Sequence, residues 1–118
     1  MNKYLFSLLF FCVSLSASAQ TIHTILFTDT QDDRIGIAAK ASHDYYSLDL
    51  LSTIETSLGT SYNTSTPIDK RGYDCNRETL LQTIENLSCE ENDIVVFIYL
   101  GHGARGLNDK SNFPQMCF

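Results

Sequence analysis

Apolar and polar positions along the chain fall into blocks whose period changes from segment to segment. The first block, Tyr4 to Leu15, is almost wholly apolar, follows Lys3 and gives way to the small residues Ser16-Ala17-Ser18-Ala19. A basic start, an apolar run shorter than the ~20 residues a bilayer requires, and a small-x-small pattern at Ala17-Ser18-Ala19 together predict a signal peptide over 1–19, cleaved after Ala19. Bulky Leu9-Phe10-Phe11 before Cys12 argues against a lipidation signal. The mature chain would be one domain, 20–118, secreted or periplasmic, with no further apolar run long enough to hold it in a membrane.

Within that domain the blocks alternate between strand-like and helix-like. Thr21 to Thr28 is short, β-branched and largely apolar, and stops at the polar cluster Asp29 to Arg34, which predicts a buried strand and its loop. From Asp44 to Leu58 the residues Leu51, Ile54 and Leu58 recur at helical spacing, Leu50 widens the stripe, and Gly59 is placed to cap the end. Thr60 to Tyr73 is rich in Thr, Ser, Asn, Gly and Pro, with Tyr62 and Ile68 as scattered anchors, so any strand there is short and near an edge. Asn76 offers a helix N-cap, and Leu80, Leu81, Ile84 and Leu87 form a second stripe. Asp93 to Leu100 is a near-continuous apolar run, the pattern of a strand buried on both faces of a parallel sheet. Strand, helix, weak strand, helix, strong strand predicts an α/β domain: an open, mostly parallel sheet with helices on both faces.

Charge and cysteines narrow the function. The net charge is −6 and becomes −7 once Lys3 leaves with the signal peptide; no Lys/Arg cluster is present, so nucleic acid is not an expected partner. Cys75, Cys89 and Cys117 remain after cleavage, an odd number. Cys75 and Cys89 bracket the second helix, whose length of roughly 20 Å is far beyond disulfide reach. No Cys-x-x-Cys or His-x-x-x-His pair is present, so neither a metal nor another cofactor is expected.

Catalytic groups of such sheets collect beyond the carboxyl ends of the strands. Two segments leave there: residues 28–36 after the first strand, and Gly101-His102-Gly103-Ala104-Arg105 after the last. His102 lies between glycines that allow a sharp turn, and an imidazole is the natural proton donor near neutral pH. His23, inside a strand, and His43, at a helix start, read as structural. Asn63-Thr64-Ser65 and Asn86-Leu87-Ser88 match the glycosylation pattern and matter only in a eukaryotic secretory route.

Val96-Phe97-Ile98-Tyr99-Leu100-Gly101-His102-Gly103 resembles the histidine motif of the caspase and metacaspase superfamily, an apolar strand followed by Tyr-Ser-Gly-His-Gly, with Leu100 where serine is usual. The order of elements over 20–118 agrees with that resemblance, and the signal peptide with Phe113-Pro114-Gln115-Met116 is more similar to bacterial secreted members than to animal caspases. The resemblance implies a caspase-like three-layer αβα sandwich, incomplete here, and a cysteine endopeptidase acting on a peptide or protein substrate. In it a thiolate attacks the carbonyl, His102 protonates the departing amine, and the Gly103 amide helps hold the oxyanion. Arg34, in Arg34-Ile35-Gly36, would bind an acidic residue before the cleaved bond, whereas Asp33 with Asp32 would favour a basic one.

The nucleophile of that family lies roughly 50 residues past the histidine, and sixteen residues follow His102 here. Cys117 leaves no room for the intervening helix and strand, and Cys75 and Cys89 read as packing or surface residues. The expectation is therefore a chain with the histidine half of a dyad, inactive alone, prone to self-association through an unfinished sheet edge. The alternatives are a noncatalytic secreted module that binds peptides or a partner chain, and an unrelated flavodoxin-like domain. The last lacks a glycine-rich phosphate loop after its first strand.

Overall fold

The computed structural model describes residues 20–58, 62–107, 110 and 114–118; the signal-peptide reading and the Gly59 cap lie outside them. Strand β1 (Gln20–Thr28) is the hub of a parallel sheet. On one side it pairs first with β2 (Tyr62–Thr64), then with β3 (Ile68–Arg71); on the other it pairs with β4 (Ile94–Leu100). The registers Ile22↔Thr64 and Ile25↔Ile68 differ by one residue, so β2 and β3 form one edge strand interrupted at Ser65-Thr66-Pro67. Pro67 has no amide hydrogen for the ladder, which is why the break falls there and at an edge. The two anchors read from sequence, Tyr62 and Ile68, are the first residues of the two pieces.

Helix α1 (Gly36–Leu58) and helix α2 (Arg77–Glu85) cover opposite faces. Alternation along β1 sends Ile25 and Phe27 to one face, where they form a core with buried Cys75 and meet Ile68, Leu80, Leu87 and Tyr99. The other face receives α1: Thr28 and His43, both buried, are hydrogen-bonded through Oγ1 and Nδ1 at 2.7 Å. His43 Nε2 lies 3.3 Å from Asp69, which also binds Arg71. A neutral imidazole satisfies both contacts, accepting from Thr28 and donating to Asp69.

Three sequence expectations change. Helix α1 begins at Gly36, well before Asp44, because Asp32 caps the turn 33–35 that leads into it, and Leu50 is exposed outside the stripe. In α2 the inward residues are Leu80 and Thr83, joined by Leu87 just past the helix, whereas Leu81 and Ile84 are exposed. Asn76 is the N-cap as expected, its side chain accepting from the Thr79 amide at 2.8 Å. The strand buried on both faces is β1, not β4. Among the described residues β4 pairs only with β1, and its Val95 and Phe97 are 44% and 38% exposed. The apolar run of β4 reports surface that α2 does not reach.

Candidate functional site

Both loops singled out from sequence meet at the carboxyl end of β1 and β4. The ladder continues past the strands, with the Asp29 amide donating to the Leu100 carbonyl at 2.9 Å. Asp29 Oδ1 accepts from the amides of Gln31 and Asp32, which turns the chain; Asp32 Oδ1 then accepts from Arg34 at 2.7 Å and Ile35 at 2.9 Å. The Gly36 amide donates to the Asp32 carbonyl at 2.9 Å, so Asp32 caps the turn 33–35 that leads into α1. A Cβ on Gly36 would approach the Thr30 carbonyl oxygen to 2.6 Å, so the glycine of Arg34-Ile35-Gly36 is required by this close turn.

His102 Nε2 faces the same carboxylate, 3.3 Å from Asp32 Oδ1. The pair is close without being aligned as a hydrogen bond, and Nε2 is buried with no hydrogen-bond partner among the described residues. The rest of the ring opens to solvent, its side chain being 34% exposed. The amides of Ile35 and Arg34 hold the Asp32 carboxyl below the usual carboxylate range, with a further contribution from His102. A carboxylate committed to the turn before a helix therefore stands as a fixed negative charge beside an imidazole nitrogen whose own bonding capacity is unspent. Such a nitrogen can orient and move a proton.

The segment after His102 folds back as a hairpin of β5 (Gly103–Ala104) and β6 (Gln115–Met116), with Gly103 opposite Met116. The Cys117 amide donates to the His102 carbonyl at 2.9 Å. In an antiparallel ladder this makes Gly103 and Met116 a non-hydrogen-bonded pair, so the Gly103 amide points away from β6. A Cβ on Gly103 would lie 3.1 Å from Pro114 Cβ. A side chain at 103 thus presses on the hairpin. Tyr99 locks the turn: its hydroxyl contacts the Cys117 carbonyl and donates to the His102 carbonyl at 3.2 Å. Burial pushes its pKa up to about 12. A Cβ on Gly101 would lie 2.3 Å from the Tyr99 hydroxyl oxygen and 2.4 Å from the ring carbon that bears it, so the first glycine of the triplet makes room for this phenol. Phe118 packs on the rings of Tyr99 and Phe27, at 5.2 and 6.3 Å between centroids.

The other named residues spread out. Asp33 and Arg34 are exposed in the turn before α1, and neither side chain forms a hydrogen bond or ion pair among the described residues. It is Asp32, their neighbour, that reaches His102. Its signal was present as an Asp ahead of a helix, obscured because the helix was placed too late. Cys75 is buried in the core, and desolvation lifts its thiol to about 11. Cys89 is exposed at the amino end of the sheet, where it, His23 and Asp93 bring one potential metal-ligating atom each within 4.8 Å of one another. All three described cysteines are free. No helix among the described residues is long and apolar enough to cross a membrane.

The architecture is mixed α/β with a mostly parallel sheet and two helices. No protein-family model, curated protein or solved structure matches the chain.

Proposed function

We propose that residues 20–118 carry the histidine half of a caspase-like cysteine endopeptidase site, in the setting of a three-layer αβα sandwich. The observation that carries the reading is His102, held by a glycine turn at the carboxyl end of β4, with Nε2 3.3 Å from Asp32 and free of hydrogen bonds among the described residues. In this reading His102 protonates the departing amine. The outward amide of Gly103 supplies an oxyanion donor fixed before charge develops. The nucleophilic thiolate is none of Cys75, Cys89 and Cys117, and belongs to a segment that follows a further main strand. The ionised Asp32 beside His102 favours a basic residue before the cleaved bond, while Arg34 on the same turn would favour an acidic one.

The test is peptide cleavage by the product of the complete reading frame, on fluorogenic peptides with Arg, Lys or Asp before the scissile bond. His102→Ala is expected to lower kcat by about 10²–10⁴ with little change in KM, the range for a positioned general acid. Undiminished cleavage rejects the reading. Export belongs to the same proposal, and N-terminal sequencing of the exported protein should begin at Gln20.

A second reading, a secreted module that binds peptides without cleaving them, is favoured by one observation. Cys75, the buried cysteine among the described residues, packs in the hydrophobic core with Ile25 and Phe27. Binding of the same peptides to the chain, with no turnover by the complete product, would select it.

A further inference from the structure

We infer that the amino end of the sheet holds a zinc-type metal site built by His23, Cys89 and Asp93, separate from the His102 turn. Parallel register sets His23 opposite Val95, and the period of two places Asp93 on the same face. His23 Nε2 lies 3.1 Å from Asp93 Oδ2, and Cys89 Sγ completes a set of three donors within 4.8 Å of one another. Zinc bonds of about 2.0–2.1 Å to nitrogen and oxygen and 2.3 Å to sulfur give tetrahedral edges of roughly 3.4–3.6 Å. The imidazole and carboxylate already stand near that edge, and Cys89, exposed and held among the described residues only by a 3.8 Å contact to the Glu90 carbonyl, can turn its sulfur to the third corner.

The carboxylate is pre-oriented. The Thr21 amide donates to Asp93 Oδ1 at 2.8 Å, and the Glu90 amide to Oδ2 at 2.8 Å. These fix the oxygen that faces His23, the service outer-shell donors perform at metal sites. The Asp93 amide donates back to the Glu90 carbonyl at 3.0 Å, and this closed turn carries Cys89 to the site. Turn capping accounts for Asp93 alone. The His23 imidazole is hydrogen-bonded to Asp93, and neither that bond nor the turn accounts for a thiol brought within reach of both.

The donor chemistry selects the metal. A neutral imidazole, a thiolate and a carboxylate carry two negative charges, so a divalent ion leaves the site neutral. One nitrogen and one sulfur suit Zn²⁺ or Co²⁺ and not the all-oxygen preference of Ca²⁺ or Mg²⁺. Binding releases the thiol proton. Three protein donors leave a fourth position for water or an incoming ligand.

The probe is Co²⁺ added to the reduced, metal-free full chain. One equivalent should bring up a sulfur-to-cobalt charge-transfer band, which one equivalent of Zn²⁺ erases. Cys89→Ser should remove the band and weaken binding on the order of 100-fold, His23→Gln should weaken it comparably, and Cys117→Ser should keep it. As a second measurement on the unmutated chain, Zn²⁺ should slow alkylation of Cys89, and prior alkylation should abolish the band. Absence of the band at one equivalent, or its survival in Cys89→Ser or in the alkylated chain, overturns the assignment.

Discussion

Replacing Tyr99 by Phe removes one hydroxyl and keeps the ring that packs on Phe118. That hydroxyl has a single proton shared between the carbonyls of Cys117 and His102. Its loss should cost about 1 kcal/mol, the net worth of one hydrogen bond, because the carbonyls beside an exposed hairpin can turn to water. The loss should be local. The β5–β6 hairpin would open roughly fivefold more often, while β1 keeps its pairing on both sides. Amide hydrogen exchange reads this directly at the Cys117 amide, whose partner is the His102 carbonyl. Exchange there should quicken about fivefold, with the Asp29 amide, bonded to Leu100, unchanged. An unchanged Cys117 amide would refute the idea that Tyr99 fastens the turn. Equal acceleration at every amide would refute its independence from the rest of the sheet.

Other outcomes follow from the same contacts. Phe27→Ala, at a fully buried side chain in the centre of the sheet, should cost about 3–5 kcal/mol in denaturant unfolding; a loss under 1 kcal/mol would place the core elsewhere. Asn76→Ala removes the cap bond to Thr79 and should cost about 1 kcal/mol, with Asn76→Asp retaining it. The amides that hold Asp32 and Asp93 lower both carboxyls from 3.8. A depressed folded pKa means stability complete above the unfolded value and lost as pH falls through the lower folded one, so circular dichroism should persist to below pH 4; loss between pH 5 and 6 would contradict this. Exposed Val95 and Phe97 on β4 should drive self-association, relieved by Val95→Lys; sedimentation of the unmodified chain as a monomer at all concentrations would contradict this.

The sequence pattern carried the order of elements because each depends on local chemistry: β-branched runs for the strands, Asn76 for the start of α2, the Thr/Ser/Pro-rich stretch for an interrupted edge. It misjudged which strand is central. β4 is the more apolar of the two, an unbroken run against only Ile22, Ile25, Leu26 and Phe27 in β1, yet the pairing of β1 with β2, β3 and β4 decides that Phe27 is enclosed while Phe97 is not. The His102 turn was legible as two glycines around an imidazole, but the reasons for those glycines were not. One makes room for Tyr99, the other for Pro114, and both partners are set by the hairpin. Asp32 was hidden for a related reason: its side chain acts twice, once on the turn into α1 and once on His102.

The two sites lie at opposite ends of β1, and this makes their tests independent. His23 and Thr28 are five residues apart on one strand, roughly 17 Å along it. Between them lie Ile25 and Phe27, among the most buried side chains of the chain. A metal at His23 and Asp93 therefore reaches the proton chemistry at His102 only through the stiffness of β1 and of β4, which runs from Asp93 to the His102 turn. If the complete reading frame yields a peptidase, Zn²⁺ occupancy at Cys89 should raise the unfolding midpoint without changing the pH profile of cleavage. A metal-dependent shift in that profile would mean that the ion binds at His102 instead, where the unspent Nε2 and the ionised Asp32 are the competing donors.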